Sequence, residues 1–374
     1  MKLLSVQALR GIAAMMVALY HLFLNEQAGL SAAGAEESSA LLDLTRNGLA
    51  GVDLFFVISG FIMVYVTADR PRGRSGTADF LLARISRIYP LWWAFSLGFM
   101  ALIFLGTGSL IPPAYDIPDE QTFSYLLQSF ALWPQADLPY IVVGWTLIHE
   151  MYFYAVFAAF LLAPQRLLAP LLGGWLGLVV LGNLVGPASP SNATDLPSLI
   201  FHPLTIEFIA GAGIGLLIQR GVRALALPAL LIGAIMLFGT VFFLQLESAG
   251  LDGAWLRVLV FGLPSALILY GFVALEIMGR VTIAKPFVYL GDISYALYLG
   301  HLIAFFLALQ IFEIGPLKLG AAGPLDNIAF AITGLVGAIA AAVIAHHLIE
   351  KPSLNWLAAQ RKRMIRREAA GRDA

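Results

Sequence analysis

The chain has 374 residues, 60% of them hydrophobic and only 12% charged, and its mean hydropathy is +0.84. This composition excludes an ordinary soluble domain and points to a polytopic membrane protein. A net charge of -1 leaves no basic excess for nucleic acid, and the absence of cysteine removes disulfides, thiolate nucleophiles and zinc-thiolate centres.

Apolar stretches long enough to cross a hydrocarbon core of ~30 Å fall at 8–24, 49–67, 91–107, 141–162, 167–187, 198–218, 224–245, 255–276, 287–311 and 327–349. They predict an all-α bundle of about ten transmembrane helices. The stretch 122–133 is short and amphipathic, and reads as a re-entrant or interfacial helix. With the N-terminus placed in the cytoplasm, 19 of the 22 basic residues fall on the inner side, leaving Arg46, Arg257 and Lys318 outside. The positive-inside rule then predicts both termini in the cytoplasm. The first outer loops are acidic instead, with Glu26, Glu36, Glu37, Asp43, Asp116, Asp119, Glu120 and Asp137.

Residues 1–355 read as a single transmembrane domain, and 356–374 as a basic tail that Arg361-Lys362-Arg363 and Arg366-Arg367 would lay on anionic lipid. A cleaved signal peptide ending near Ala33-Gly34-Ala35 is the competing reading of the first span, but the run carries Arg10 and His21 and ends well before that site. The sequon Asn192-Ala193-Thr194 is too short to carry an argument, and no internal repeat is visible.

The first span places Arg10 eleven positions before His21. Eleven residues make about three helical turns, so the two side chains share a face, ~16 Å apart along the axis. Either residue alone has a plain explanation: an arginine that snorkels to headgroups, a histidine that bonds a neighbouring helix. Together on one face they mark a candidate site, because ionisable groups within a membrane are costly without a role.

The second span opens with Gly51-Val52-Asp53-Leu54-Phe55-Phe56-Val57-Ile58-Ser59-Gly60. Ser59 and Gly60 suit close helix packing, whereas Asp53 is a carboxylate able to orient an imidazole on the first helix. Before the third span, Arg84-Ile85-Ser86-Arg87-Ile88-Tyr89-Pro90 sets two arginines three apart on one helical face, able to grip one anion, with Pro90 ending or kinking the element. A positive-inside anchor is the simpler reading of the same pair. In the fourth span, Glu150 falls halfway across, behind Trp145 and before Tyr154, and a carboxylate there must be protonated, paired or in a wet cavity. The ninth span carries Ser294-Tyr295 and, further along, His301 at a depth like that of His21. His301 reads as a structural partner of the first site or a contact for an outer substrate. The tenth ends in His346-His347-Leu348-Ile349-Glu350-Lys351-Pro352, which reads as a helix terminus. No local motif of metal-ligand spacing, nucleophile elbow or P-loop accompanies these residues, so no metal is expected.

Arg10 through His21, the Gly51–Gly60 run, Arg84-Ile85-Ser86-Arg87 and Trp145-Thr146-Leu147 through Glu150 to Tyr154 together resemble the acyltransferase-3 family of integral-membrane O-acyltransferases. The match covers the first 155 residues well; Ser294-Tyr295 to His301 and Glu350-Lys351-Pro352 extend it loosely, and 160–285 agrees only in hydropathy. Thr146 stands where the family often has Ser, and the Gly-Trp-Thr-Leu form is similar to the branch that acetylates exopolysaccharide and O-antigen.

The resemblance implies acyl transfer, most simply of acetyl, from cytoplasmic acyl-CoA as a substrate, with no permanently bound cofactor. The acceptor would be a hydroxyl of an exopolysaccharide, another glycan or a lipid-linked oligosaccharide, and polysaccharide-biosynthesis proteins are expected partners alongside the lipid. His21 is then the expected base or acyl carrier, Glu150 its catalytic partner, and Arg10, Arg84 and Arg87 the donor-binding cations. Asp53, Ser59, Trp145, Tyr154 and His301 are supporting or acceptor-side residues. A proton-coupled glycan or lipid transporter built on Arg10, His21 and Glu150 is the alternative from another class, and a non-catalytic scaffold is a third.

Overall fold

The computed structural model describes residues 3–32, 45–185, 194–243, 253–314 and 324–370. Among them every regular element is helical. Eight helices are long and apolar enough to cross a membrane, and two further apolar helices, Gly144–Phe160 and Ala226–Phe243, occupy the fourth and seventh expected places. Large apolar side chains such as Leu105, Leu184, Ile235 and Leu348 stand exposed on the outside of the bundle, as lipid-facing residues do. The protein is thus a multi-pass, all-α membrane protein. The possible cleavage site at 33–35, the acids Glu36, Glu37 and Asp43, most of the sequon and Lys318 lie outside the described residues.

The helices that build the site are α1 (Leu4–Ala32), α2 (Ala50–Thr67), α3 (Arg74–Thr107), α4 (Thr122–Ala131) and α5 (Gly144–Phe160). After α6 (Leu168–Val185), the sixth expected span breaks at His202-Pro203 into α7 (Leu196–Ile200) and α8 (Thr205–Gln219). Next come α9 (Ala226–Phe243), α10 (Ala254–Arg257), a π-turn at Val258–Gly262 and α11 (Leu263–Ile277). The ninth expected span is likewise divided, by Ile293, into α12 (Lys285–Asp292) and α13 (Ser294–Ile314). The chain closes with α14 (Pro324–Ala345), a second π-turn at His346–Glu350 and α15 (Lys351–Ala370).

Pro90 does not end an element. It lies inside α3, a helix of 34 residues, so Arg84 and Arg87 belong to the span itself rather than to a segment before it. One lost N–H donor is a small defect in a helix flanked by long runs of intact bonds. The stretch 122–133 forms α4, which buries Tyr125 and Ser129, leaves Phe123, Leu127 and Trp133 exposed, and leans on α3 through Tyr89 Oη to the Ala131 carbonyl at 2.8 Å. Its apolar outer face fits an interfacial helix.

Small residues set the tightest crossings. A Cβ on Gly60 would overlap the Phe208 carbonyl oxygen, and one on Gly211 the Val57 carbonyl oxygen, so α2 and α8 meet backbone to backbone. Gly211→Val should therefore cost about 3 kcal/mol through overpacking, read as a fall in thermal midpoint in detergent. Gly291 of α12 approaches the Gln7 backbone of α1 in the same way. The first turn of α1 is held by Glu276 at the end of α11, whose carboxylate accepts from Leu4 N at 2.7 Å, from Ser5 N at 2.9 Å and from the Ser5 hydroxyl. An acid there satisfies orphan amides and suits the positive end of the helix. These contacts gather the start of α1 and the ends of α11 and α12 at one end of the bundle, the basic end.

Candidate active site

A cavity of about 370 Å³ opens between α1, α2, α3, α5 and α13. Arg10, Arg84 and Arg87 line it together with Ser59, Glu150 and Tyr154, so six of the expected residues converge there. α3 presents both arginines because three residues return a helix to nearly the same face. Arg84 stacks over Tyr154, its guanidinium carbon 5.7 Å from the ring centroid, and over Phe80 at 5.5 Å. Arg87 lies 6.0 Å over the Tyr295 ring and 4.0 Å from Glu350. Aromatic faces hold guanidinium groups without consuming the N–H fork that would grip an anion.

Glu150 was expected as the catalytic partner of His21. The structure places it elsewhere: its Oε1 accepts from Ser59 Oγ at 2.9 Å and from the Tyr154 hydroxyl. It is the carboxylate inside the cavity, held beside the arginines. Ser59, expected mainly as a packing residue, is thereby a ligand of Glu150. Asp53 is not a partner of His21 either. It is fully buried and takes a bidentate contact from Arg257, Nε to Oδ1 and Nη2 to Oδ2, both at 2.8 Å. Trp145 sits over that guanidinium at 5.7 Å and does not line the cavity.

His21 and His301 lie outside the cavity and face each other. His301 Nε2 is 3.2 Å from His21 Nδ1; His301 Nδ1 is 3.0 Å from the Leu297 carbonyl, and His21 Nδ1 is 3.0 Å from the Val17 carbonyl. Carbonyl oxygens only accept, so in the neutral pair both Nδ1 atoms carry the proton, and the single His21 Nδ1–H is shared between the Val17 carbonyl and His301 Nε2. One consequence is chemical. His21 Nε2 is left as an unprotonated lone pair on a half-buried side chain. His301 is thus the structural partner that one of its two sequence readings anticipated.

Several contributors were not expected. Glu350 also accepts or shares a proton with His346 Nδ1 at 2.7 Å, so the π-turn read as a mere terminus ties α14 to Arg87. Arg257 and the buried Glu207 join Asp53 in one cluster between α2, α8 and α10. Glu207 is the lone carboxylate within the apolar run 198–218, the one signal the sequence offers for it. Thr146 and Tyr298, 2.8 Å apart, close the far end of the cavity.

The family described as an acyltransferase domain matches residues 3–347. The chain is 32% identical over 345 residues to the exopolysaccharide production protein ExoZ of Rhizobium meliloti (strain 1021), covering 87% of this chain and 93% of ExoZ. It is 24% identical over 388 aligned positions to the acyltransferase MdmB of Streptomyces mycarofaciens, covering 96% of this chain and 94% of MdmB. No solved structure matches the chain. A single family spanning almost the whole bundle, with the four motifs of the first half meeting around one cavity and one histidine pair, leaves one assignment: the chain is a membrane acyltransferase and belongs to the acyltransferase-3 family.

Proposed function

We propose that this enzyme, in the bacterial plasma membrane, moves an acyl group, most simply acetyl, from acyl-CoA entering at the basic end to a hydroxyl of an exopolysaccharide or related glycan arriving from the far side. The observation that carries the reading is the convergence of Arg10, Arg84 and Arg87 on one cavity that is also lined by Val52, Phe55, Phe56 and Leu147. Three guanidinium groups suit the phosphates of a coenzyme A donor, and the apolar lining suits its thioester arm. The similarity to ExoZ, whose description is exopolysaccharide production, supports a glycan acceptor.

The chemistry assigned to the chain is simple. His21 Nε2 takes the proton of the acceptor hydroxyl as its oxygen attacks the thioester carbonyl; the C–O bond forms, the C–S bond breaks, and the imidazolium returns the proton to the leaving thiolate. His301 holds the tautomer that makes this possible. The same lone pair can instead accept the acyl group first, releasing CoA and leaving an acyl-histidine for the hydroxyl to attack. Trapping labelled acyl-protein without acceptor distinguishes the second route from the first.

The test uses purified protein in lipid nanodiscs with radiolabelled acetyl-CoA and extracted glycan. Wild type should bind the donor and release CoA. Arg84→Ala or Arg87→Ala should weaken donor binding by ~10–100-fold through loss of charge-assisted hydrogen bonds, with the loss smaller at high salt. Failure of wild type to bind CoA would overturn the reading.

A further inference from the structure

On α5 the lining residues run from Tyr154, beside Arg84, through Glu150 to Leu147 and Thr146, and α2 lines the same cavity from Ile62 and Ser59 to Phe55 and Val52. From Tyr154 to Thr146 a helix rises ~12 Å. At that far end Thr146 Oγ1 and Tyr298 Oη are 2.8 Å apart, and the Thr146 hydroxyl is also 2.9 Å from the Val143 carbonyl. Tyr298 Oη also reaches that carbonyl at 3.4 Å, so the two hydroxyl protons are held between the pair and the Val143 carbonyl. Both hydroxyls are thereby satisfied, and neither donor is left to greet a polar ligand. Phe55 packs edge-on against the Tyr298 ring at 5.6 Å, and His301 lies behind that ring at 6.1 Å.

We propose that the Thr146–Tyr298 pair is the end wall of the acyl pocket, and that it sets the length of acyl chain the donor cavity takes. The inference rests on the donor reading given above. A short acyl group ends against the pair. A longer chain must displace Tyr298, which is buried among Phe55, Thr146 and His301. The wall is a specificity device, because one methylene in a closely fitted apolar pocket is worth ~10-fold or more.

The test measures turnover with acetyl-, propionyl-, butyryl- and hexanoyl-CoA, and binding of unacylated CoA, for wild type, Thr146→Ala, Tyr298→Phe and Tyr298→Leu in nanodiscs. Wild type should fall with chain length. Tyr298→Leu should move the optimum to longer chains, with the butyryl-to-acetyl ratio rising ~10-fold or more. Thr146→Ala should shift it the same way by less, which keeps the test decisive if the leucine variant does not fold. Tyr298→Phe keeps the ring and should keep the wild-type profile. CoA binding, measured alongside, separates a general loss of the donor site from a change in the acyl-length profile. A uniform loss at all lengths, with the profile parallel to wild type, would show that the pair only supports the fold and overturns the proposal while leaving the donor reading standing. No CoA binding by wild type would overturn both.

Discussion

Alanine in place of His21 should lower acyl transfer by about 10³-fold while leaving donor affinity within about twofold, because the side chain supplies proton transfer and does not line the donor cavity. Donor binding by equilibrium dialysis and CoA release by single turnover separate the two effects. His301→Ala should cost less, about 10–100-fold, since it removes the acceptor that fixes His21 without removing the base. His301→Gln should recover part of that loss, because a glutamine carbonyl can accept from His21 Nδ1 as the imidazole does. Equal losses in His301→Gln and His301→Ala would mean that shape, not hydrogen bonding, is what His301 contributes. If donor binding fell along with turnover in His21→Ala, the division between cation-lined cavity and histidine pair would be wrong.

The second large effect concerns stability. Asp53 is fully buried and Arg257 has 14% of its side chain exposed, so each is the other's replacement for water. Arg257→Met should destabilise the protein by about 3–5 kcal/mol, as expected when one partner of a buried pair is removed. Glu207 raises the stake, since without Arg257 two carboxylates share one enclosed cluster. Asp53→Asn should cost less, because Glu207 stays available to the guanidinium. Replacing both partners by apolar residues, Asp53→Leu with Arg257→Met, should restore most of the loss. Thermal unfolding in detergent of wild type, Asp53→Leu, Arg257→Met and the double variant gives the cycle, and additive losses would show that the pair is not coupled.

The part of this site that the sequence made legible is the part written along single helices. Arg84 and Arg87 share a face because they are three residues apart, and Arg10 and His21 because they are eleven apart; no tertiary knowledge is needed for either. Hydropathy likewise placed the helices, since a membrane-spanning segment must satisfy its own backbone. What failed was the assignment of partners across helices. Of Glu150, Asp53 and His301, Glu150 was ranked first as the partner of His21 because of its depth, yet Ser59 and Tyr154 hold it, and it is His301 that lies against His21. Asp53 was matched to the neighbouring helix, while its true partner, Arg257, had been counted only as an outer-side charge. Depth in a bilayer fixes one coordinate of a side chain; the rotation and tilt of each helix fix the others, and these come from contacts such as Gly60 on Phe208 that no periodicity records. Pro90 misled for a related reason: the rule for soluble helices overstates how often proline stops a helix packed inside a bundle.

The unbroken course of α1 has a metrical consequence. Arg10 and His21 are two marks on one rod, since the helix runs from Leu4 to Ala32 without a turn or π insertion between them. A molecule that touches both marks must bridge ~16 Å, and no loop movement can shorten that gauge. A donor truncated to a small thioester can answer one mark but not the other. One residue inserted between them would swing the histidine through ~100°, off the face it shares with the arginine, although every side chain of the site would still be present.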